Sequence, residues 1–207
     1  MKQKIVIIDY HTGNILSVFK AMNQFRGIVV EVSNNPQVIE SADKIILPGV
    51  GHFGKAMESL TQLGLVETLN KHVLIQKKPV LGICLGMQLM ATSSEEGNCA
   101  GLNWVPGHVK RIQTTNSLRY KIPHTGWNTL KQQHRSPMLK MITPDDEFYF
   151  VHAYHFEVDD AAHALCSTSY EHEFVSGVEN AHIFGVQFHP EKSHDQGLQL
   201  FRNFINL

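Results

Sequence analysis

A cysteine between two glycines has the setting in this 207-residue chain that most favours covalent chemistry. Cys84 follows an apolar run at residues 80–83, typical of a short buried strand, and precedes a helical pattern at residues 85–91. A Gly-x-Cys-x-Gly segment at such a junction is a version of the nucleophile elbow, a tight strand-to-helix turn that exposes one side chain. We therefore predict that Cys84 is a nucleophile.

The elbow also explains why glycines flank the cysteine and which role the next residue, Leu85, would have. A side chain at Gly82 or Gly86 would collide with neighbouring backbone in so tight a turn. The following helix directs its positive end toward the sulfur, which favours the thiolate, and the N–H of Leu85 is placed to stabilise an oxyanion. The alternative is a buried core cysteine whose flanking glycines serve only packing.

A histidine and a glutamate near the end of the chain are candidates for the base that a cysteine nucleophile needs and for the carboxylate that orients this base. His189 ends a predicted strand, precedes a proline that holds its backbone extended, and is followed two residues later by Glu191. A carboxylate beside a histidine fixes its tautomer and stabilises the imidazolium. Cys84, His189 and Glu191 thus form a candidate triad, and a surface His–Glu pair is the alternative for the second motif.

A glycine-rich segment follows the third predicted strand directly. We predict a loop over residues 48–54, in which glycines let the backbone approach a ligand closely. Gly49, Val50 and Gly51 are then candidates for a second source of oxyanion N–H groups facing Cys84, although a plain turn is equally compatible with the pattern. The absence of a following Gly-Lys-Ser/Thr excludes a Walker A phosphate loop.

The composition limits the class of protein. Hydrophobic residues make up 43% of the chain and the net charge is −1, which supports an ordinary core and gives no electrostatic case for nucleic acid or membrane partners. The 3 cysteines form no even disulfide set, which suits a reducing compartment. There is no membrane-length apolar run and the chain starts with a predicted strand, so we expect a soluble cytoplasmic protein.

The elements that must position these residues alternate between strand and helix. Apolar runs at 4–9, 28–32, 44–47 and 80–83, with amphipathic patterns between them, predict a mostly parallel central sheet flanked by helices. The stretch 55–76 is expected to hold two helices broken near Gly64. We expect one α/β domain over 1–207 with an antiparallel C-terminal part. The predicted C-terminal elements are strands at 147–151, 164–170, 174–179 and 183–188 and a helix at 195–206.

Two further segments carry weaker signals. Residues 123–128 are expected to be a compact turn, with Trp127 either a packing anchor or an interface residue. His152 and His155 are three apart on a predicted strand, so their side chains point to opposite faces and form a poor metal pair. We therefore predict no metal site there.

Together, the segments Gly-Ile-Cys-Leu-Gly-Met-Gln (82–88) and Phe-His-Pro-Glu (188–191) resemble the two most specific motifs of the class I glutamine amidotransferase family. The resemblance covers nearly the whole chain and leaves no room for a synthase domain. It implies a flavodoxin-like fold, a Cys-His-Glu triad that hydrolyses L-glutamine to glutamate and ammonia, and no metal or organic cofactor.

Within the family, four details are similar to the branch of glutaminase subunits of imidazole glycerol phosphate synthase. They are Pro-Gly-Val-Gly at 48–51, Gly-Trp-Asn at 126–128, Phe-Val-His-Ala-Tyr at 150–154, and Lys192. The resemblance implies a heterodimer with a cyclase subunit, expected to be a TIM-barrel protein. That subunit would use the ammonia to make imidazole glycerol phosphate and AICAR in histidine biosynthesis.

The resemblance also assigns roles to residues outside the triad. It implies that glutamine is held by Gln88 and by the backbone around Ala153 and Tyr154. It places near the partner and the ammonia route Tyr149, Lys192, Trp127 and Asn128.

The chain departs from the family pattern at His11, where glycine is usual, and at Thr125 and Ala153. Three alternatives stay open: a paralogous glutaminase that serves another acceptor such as a sugar amidotransferase, a non-amidotransferase reactive-cysteine domain of similar fold, and a cysteine peptidase. The His-Pro-Glu segment argues against the reactive-cysteine domain, which needs no such motif.

Overall fold

The computed structural model describes residues 2–207. Its α-helices are α1 (Ile15–Met22), α2 (Pro36–Glu40), α3 (Phe53–Gln62), α4 (Leu65–Asn70), α5 (Leu85–Gln88) and α6 (His194–Ile205). Its strands are β1 (Gln3–Ile8), β2 (Ile28–Ser33), β3 (Lys44–Gly49), β4 (Val80–Cys84), β5 (Ser93–Ser94), β6 (Cys99–Ala100), β7 (Gly107–Arg111), β8 (His124–Thr129), β9 (Lys131–Gln132), β10 (Glu147–His152), β11 (Tyr154–Val158), β12 (Ala164–Ser169), β13 (Glu173–Asn180) and β14 (Ile183–Val186). Within residues 2–207, none of the helices combines the length and the apolar character that a membrane span requires.

The main sheet is parallel on one side and chiefly antiparallel on the other. Strands β2, β1, β3, β4 and β14 lie side by side in that order and run parallel. Beyond β14 the sheet continues through β13, β11 and β7 with antiparallel pairing. Strands β8 and β10 form a separate antiparallel pair. The prediction of a mostly parallel sheet with an antiparallel C-terminal part is confirmed.

Helices cover both faces of the parallel strands because the strand side chains alternate. Ile5 and Ile7 of β1 pack into a core with α1 and α6. Val6 and Ile8, on the opposite face, pack into a second core with residues of α2, α3, α4 and α5. A strand that is apolar on both faces needs such double coverage, which is why β1 reads as a continuous apolar run.

The prediction of a loop over residues 48–54 is wrong at both ends. Pro48 and Gly49 belong to β3, where Gly49 pairs with Cys84 of β4, and α3 already begins at Phe53. The ring nitrogen Nδ1 of His52 accepts hydrogen bonds from the N–H groups of Gly54 and Lys55. His52 therefore caps α3, which lets the helix start earlier than its glycine suggests.

Residues 123–128 are not a turn, because most of them form β8. Six residues of β8 pair with β10, and partners so distant in sequence give no local signal. His152 and His155 do not share a strand either: β10 ends at His152 and β11 starts at Tyr154. Among residues 2–207, no group of three or more His, Cys, Asp or Glu side chains is arranged to hold a metal ion.

Some predicted ends of helices and strands also differ from those in the structure. The connection after β2 contains the short helix α2, whose proline at its first turn ends the strand pattern and starts a helix. The helix after the elbow ends at Gln88 instead of extending to residue 91. The predicted break near Gly64 is confirmed, since that residue lies in the left-handed region between α3 and α4.

The turn between β4 and α5 depends on two missing side chains. Cys84 has a φ of 53°, a conformation that L residues rarely adopt. A Cβ atom on Gly86 would lie 1.7 Å from the carbonyl oxygen of Leu47 in β3, and one on Gly82 would lie 2.7 Å from the backbone of Gly86 and Met87. Helix α5 therefore lies directly on the backbone of β3.

Substitution of Gly86 by alanine should destabilise the protein strongly. The new methyl group would overlap a strand carbonyl that has no room to move, so we expect a loss in the free energy of unfolding of about 3 kcal/mol or more. Urea unfolding followed by circular dichroism measures this change. Gly64→Ala is the matched control: a Cβ there meets no atom within 4 Å but has an unfavourable φ of 66°, and should cost only about 1 kcal/mol. Equal losses would contradict the close approach of α5 to β3.

Candidate active site

The carboxyl ends of three adjacent parallel strands bring the predicted residues to one edge of the sheet. Gly49 at the end of β3 is level with Cys84 at the end of β4, and Val186 of β14 is level with Ile83. The residues that follow β14, including His189, therefore emerge beside Cys84. Ligands in open α/β sheets bind at this edge, outside the carboxyl ends of the strands.

Cys84 opens into a cavity of about 280 Å³. The cavity is lined by Val50, Gly51, Cys84, Leu85, Gln88, Glu96, Pro123, Val151, His152, Ala153 and Tyr154. All of the residues predicted to bind the oxyanion or glutamine lie here except Gly49. Gly49 does not line the cavity. It packs against Tyr10 and Leu85, since a Cβ atom on it would meet the Tyr10 hydroxyl at 2.2 Å and the Leu85 side chain at 3.2 Å.

His189 and Glu191 form a buried pair. The His189 Nδ1 atom and the Glu191 Oε1 atom lie 2.7 Å apart, and both side chains are shielded from solvent. The amide of Asn14 donates a second hydrogen bond to the same carboxylate oxygen. Because Nδ1 donates to glutamate, Nε2 is the nitrogen left for chemistry.

The surroundings of His189 favour its charged form. Burial lowers the pKa of its imidazole, but interactions with Cys84 and Glu191 outweigh burial and raise the pKa to about 9. Nε2 makes no hydrogen bond of standard geometry, although the Cys84 thiol lies close enough to influence the ring. Catalytic hydrogen bonds are often long before substrate binds.

Two buried glutamines connect the cavity wall to the sulfur. The Gln88 amide nitrogen donates to the Tyr154 carbonyl at 3.0 Å and to Gln187 Oε1 at 2.9 Å. The Gln187 amide nitrogen in turn lies 3.6 Å from Cys84 Sγ. Gln88 thus lines the cavity directly and also hydrogen-bonds to Gln187, which lies next to the Cys84 sulfur.

Three of the four residues assigned to the partner side cluster next to His189. The rings of Trp127 and Tyr149 meet edge to face at 5.9 Å, and Lys192 Nζ lies 5.4 Å from the centre of the Tyr149 ring. The Trp127 side of this cluster is exposed. Asn128 lies apart, because its amide nitrogen donates to the Ser169 carbonyl at 2.8 Å.

The departures from the family pattern occupy different environments. His11 has a φ of 64°, so this is a position that favours glycine, and its side chain is exposed. Thr125 is an exposed residue of β8, and Ala153 lines the cavity. Among the described residues, the side chain that hydrogen-bonds to the paired side chains of His189 and Glu191 is that of Asn14.

Sequence reasoning missed three residues that the fold brings to the site. Asn14 lies in the loop before α1, Glu96 lines the cavity while accepting a hydrogen bond of 2.7 Å from the Phe53 N–H, and Gln187 contacts Cys84. Gln187 stands two residues before His189, so its place in the motif was a usable signal. Glu96 lies in a loop-rich stretch and has none.

The chain matches the family model described as glutamine amidotransferase class-I over residues 6–207. It is 45% identical to the imidazole glycerol phosphate synthase subunit HisH 2 of Methanococcus maripaludis, over 97% of this chain and 98% of that protein. It is 44% identical to the subunit HisH 1 of Campylobacter jejuni, over 98% of this chain and 100% of the relative.

Solved structures share the fold at lower identity. A putative GMP synthase protein from Thermoplasma acidophilum superposes with a TM-score of 0.75 and 19% identity, covering 100% of this chain and 94% of the other. PurLQS from Thermotoga maritima gives a TM-score of 0.72 and 17% identity, covering 100% and 99%. These likenesses concern the fold alone.

The charge on His189 should make stability depend on pH. Its folded pKa of about 9 lies above the ordinary 6.5, so its contribution is fully present below pH 6.5 and is lost as pH rises through 9. The advantage of wild type over His189→Asn in urea unfolding should therefore shrink between pH 6 and pH 9.5, by an amount on the order of 1 to 3 kcal/mol. His11→Asn, at an exposed site, is the control. A difference that does not change with pH would contradict the charged pair.

Proposed function

This chain belongs to the class I glutamine amidotransferase family, and we propose that it is the glutaminase subunit of an imidazole glycerol phosphate synthase. In this proposal Cys84, His189 and Glu191 are the triad, in one domain over 1–207 acting in the cytoplasm. The observation that carries the triad is the buried 2.7 Å pair of His189 and Glu191 at the same sheet edge as the strained Cys84. The identity of 45% and 44% to imidazole glycerol phosphate synthase subunits of Methanococcus maripaludis and Campylobacter jejuni supports this choice of synthase.

The first step forms a thioester. The Cys84 thiolate adds to the side-chain amide carbon of glutamine, giving a tetrahedral oxyanion. The oxyanion collapses, the C–N bond breaks, and the proton on His189 Nε2 goes to the departing nitrogen, which leaves as ammonia. Glu191 keeps Nδ1 protonated and stabilises the imidazolium before the transfer.

The second step releases glutamate. Neutral His189 takes a proton from water, which adds to the thioester carbon, and the C–S bond then breaks to restore the thiolate and the imidazolium. The Leu85 N–H and an N–H of the Gly49–Gly51 segment are proposed to hold the oxyanion in both steps. One such donor is worth about 3 kcal/mol of transition-state stabilisation.

The polar groups of the cavity suit an α-amino acid. Both hydrogens of the Gln88 amide are directed at acceptors, the Tyr154 carbonyl and Gln187, so Gln88 can offer only its Oε1 atom. With the Glu96 carboxylate, it forms a negatively polarised corner for the α-ammonium group. The backbone around Ala153 and Tyr154 then faces the α-carboxylate.

The ammonia acceptor is proposed to be a cyclase subunit with a TIM-barrel fold. Trp127, Tyr149 and Lys192 form a cluster whose Trp127 side is exposed. The cluster is joined to His189 through the backbone, because the His189 N–H donates to the Tyr149 carbonyl at 2.9 Å. An exposed tryptophan beside a catalytic group is a suitable interface residue. Docking there would place the acceptor close to where ammonia is released.

Substitution of Cys84 by alanine should abolish glutamine-dependent synthesis in the complex while leaving synthesis from added ammonium salts intact. No other residue can replace Cys84 in the covalent step, whereas the partner's reaction with free ammonia does not involve Cys84. Cys99→Ala, at a cysteine outside the cavity, is the matched control and should retain both activities. Loss of both activities in Cys84→Ala would show that this cysteine is structural, and retention of both would overturn the triad.

The isolated chain should be a poor glutaminase that its partner activates. Gly51 has a φ of 117° and a Cβ atom there would meet no atom within 4 Å, whereas the Pro48 carbonyl accepts a 2.6 Å hydrogen bond from the Tyr10 hydroxyl. Rotation of the peptides at Val50 would exchange an N–H for a carbonyl at the oxyanion position, worth about 10²–10³ in rate. We expect kcat to rise by this amount with partner and acceptor present, and KM to change less. Full turnover by the chain alone would remove the case for such a switch.

A further inference from the structure

One backbone carbonyl fixes the direction of a whole series of side-chain hydrogen bonds next to Cys84. The carbonyl oxygen of Tyr154 lies 2.8 Å from His152 Nδ1 and 3.0 Å from the Gln88 amide nitrogen. A carbonyl oxygen can only accept hydrogen bonds. Both neighbours must therefore present an N–H to it.

On the side toward the nucleophile, this requirement orients two amides. The same Gln88 nitrogen lies 2.9 Å from Gln187, so the atom it meets there must be the oxygen. The amide nitrogen of Gln187 is then the group 3.6 Å from Cys84 Sγ. Rotating either amide by half a turn would set donor against donor or acceptor against acceptor, and both side chains are buried from water.

On the side away from the nucleophile, the requirement orients two histidines. His152 has a proton on Nδ1, and burial lowers its pKa to about 3, so its Nε2 is an unprotonated acceptor. His124 Nδ1, 3.0 Å away, must then donate to it. Burial also lowers the pKa of His124, to about 4, so this pair is neutral above pH 6.

We propose that Gln187 is a further catalytic residue, whose amide N–H holds the Cys84 thiolate. In this proposal the Tyr154 carbonyl sets the orientation of Gln187 through Gln88, and His124 and His152 are positioning residues that hold this carbonyl in place. This inference rests on the proposed role of Cys84 as nucleophile. An amide donor aimed at a thiolate stabilises the charge, whereas a reversed amide would aim its oxygen at the sulfur and destabilise it.

The series also crosses between two sheets. His124 and His152 are opposite each other in the β8–β10 pair, while Tyr154 begins β11 of the main sheet. The β8–β10 pair carries Trp127 and Tyr149 on its other side. A shift of this pair against the main sheet would act on the His152–Tyr154 contact and so on the thiolate.

The rate at which iodoacetamide alkylates Cys84 tests the donor without glutamine or partner. Gln187→Met keeps the length of the side chain without any donor, and Gln187→Leu also removes the donor without adding a charge. Loss of a hydrogen bond to a charged group should raise the pH of half-maximal alkylation by about one to two units. His189 and Tyr10, whose own pKa values Cys84 helps to raise, and Glu96, which lines the same cavity, are unchanged in both variants. Gln132→Met, at an exposed glutamine, is the control and should match wild type.

Substitutions at His124 test the positioning role. Asparagine places an amide nitrogen close to the position of Nδ1, so it keeps the donor to His152, whereas phenylalanine keeps the ring packing against Phe150 and Tyr170 and removes the donor. We expect His124→Phe to move the alkylation profile upward by less than the Gln187 variants do, and His124→Asn to restore most of the wild-type profile. A merely structural role would lower the melting temperature of both without moving the profile.

The outcomes separate this inference from the proposed function. Folded Gln187→Met with a wild-type alkylation profile overturns the donor, and an unmoved profile in folded His124→Phe overturns the positioning pair. If Gln187→Met does not fold, Gln187→Leu, which also lacks a donor and adds no charge, gives the same decision. Shifted profiles in a protein that releases no ammonia from glutamine with its partner would support the inference about the thiolate and overturn the function.

Discussion

The packing of α5 onto the backbone of β3 is the constraint on which the site depends. Because Gly86 has no side chain, the helix comes within reach of the Leu47 carbonyl, and the chain must turn sharply at Cys84 to enter it. The same packing places the Leu85 side chain against Gly49. The proposed nucleophile and both proposed oxyanion segments are therefore fixed relative to each other by one close contact, and the cost is a strained backbone at Cys84.

Two buried histidines show how partners decide the charge of an imidazole. His189 and His152 are both buried, yet their pKa values move in opposite directions. A carboxylate and a thiol face His189, so its charged form is favoured, whereas His152 faces a neutral carbonyl and the neutral His124. The protein thus favours an imidazolium at His189 and keeps the pair of His124 and His152 neutral, and His152 lines the cavity into which Cys84 opens.

The β8–β10 pair is connected to the site by two different routes. One runs through the backbone, where the His189 N–H donates to the Tyr149 carbonyl and Ser193 Oγ accepts from the Tyr149 N–H. The other runs through the side chains of His124 and His152 to the Tyr154 carbonyl. The exposed Trp127 side of this pair is proposed to face the synthase, so one surface element would act on both His189 and Cys84, the proposed acid and nucleophile. That arrangement offers a physical basis for coupling between subunits.

The sequence by itself determined what depends on neighbours along the chain. The glycines around Cys84, the proximity of His189 and Glu191, and the alternation of apolar strands with amphipathic helices are local patterns, and the elbow, the pair and the parallel sheet follow from them. Only the tertiary structure decided which distant residues complete the site. Residues 123–128 became a strand because β10 pairs with them, and Glu96 and Asn14 reached the cavity and the pair through loops from other strands. The orientation of Gln187 was decided furthest away, by a carbonyl on β11. Such contacts join residues with no fixed spacing, so no periodicity in the sequence records them.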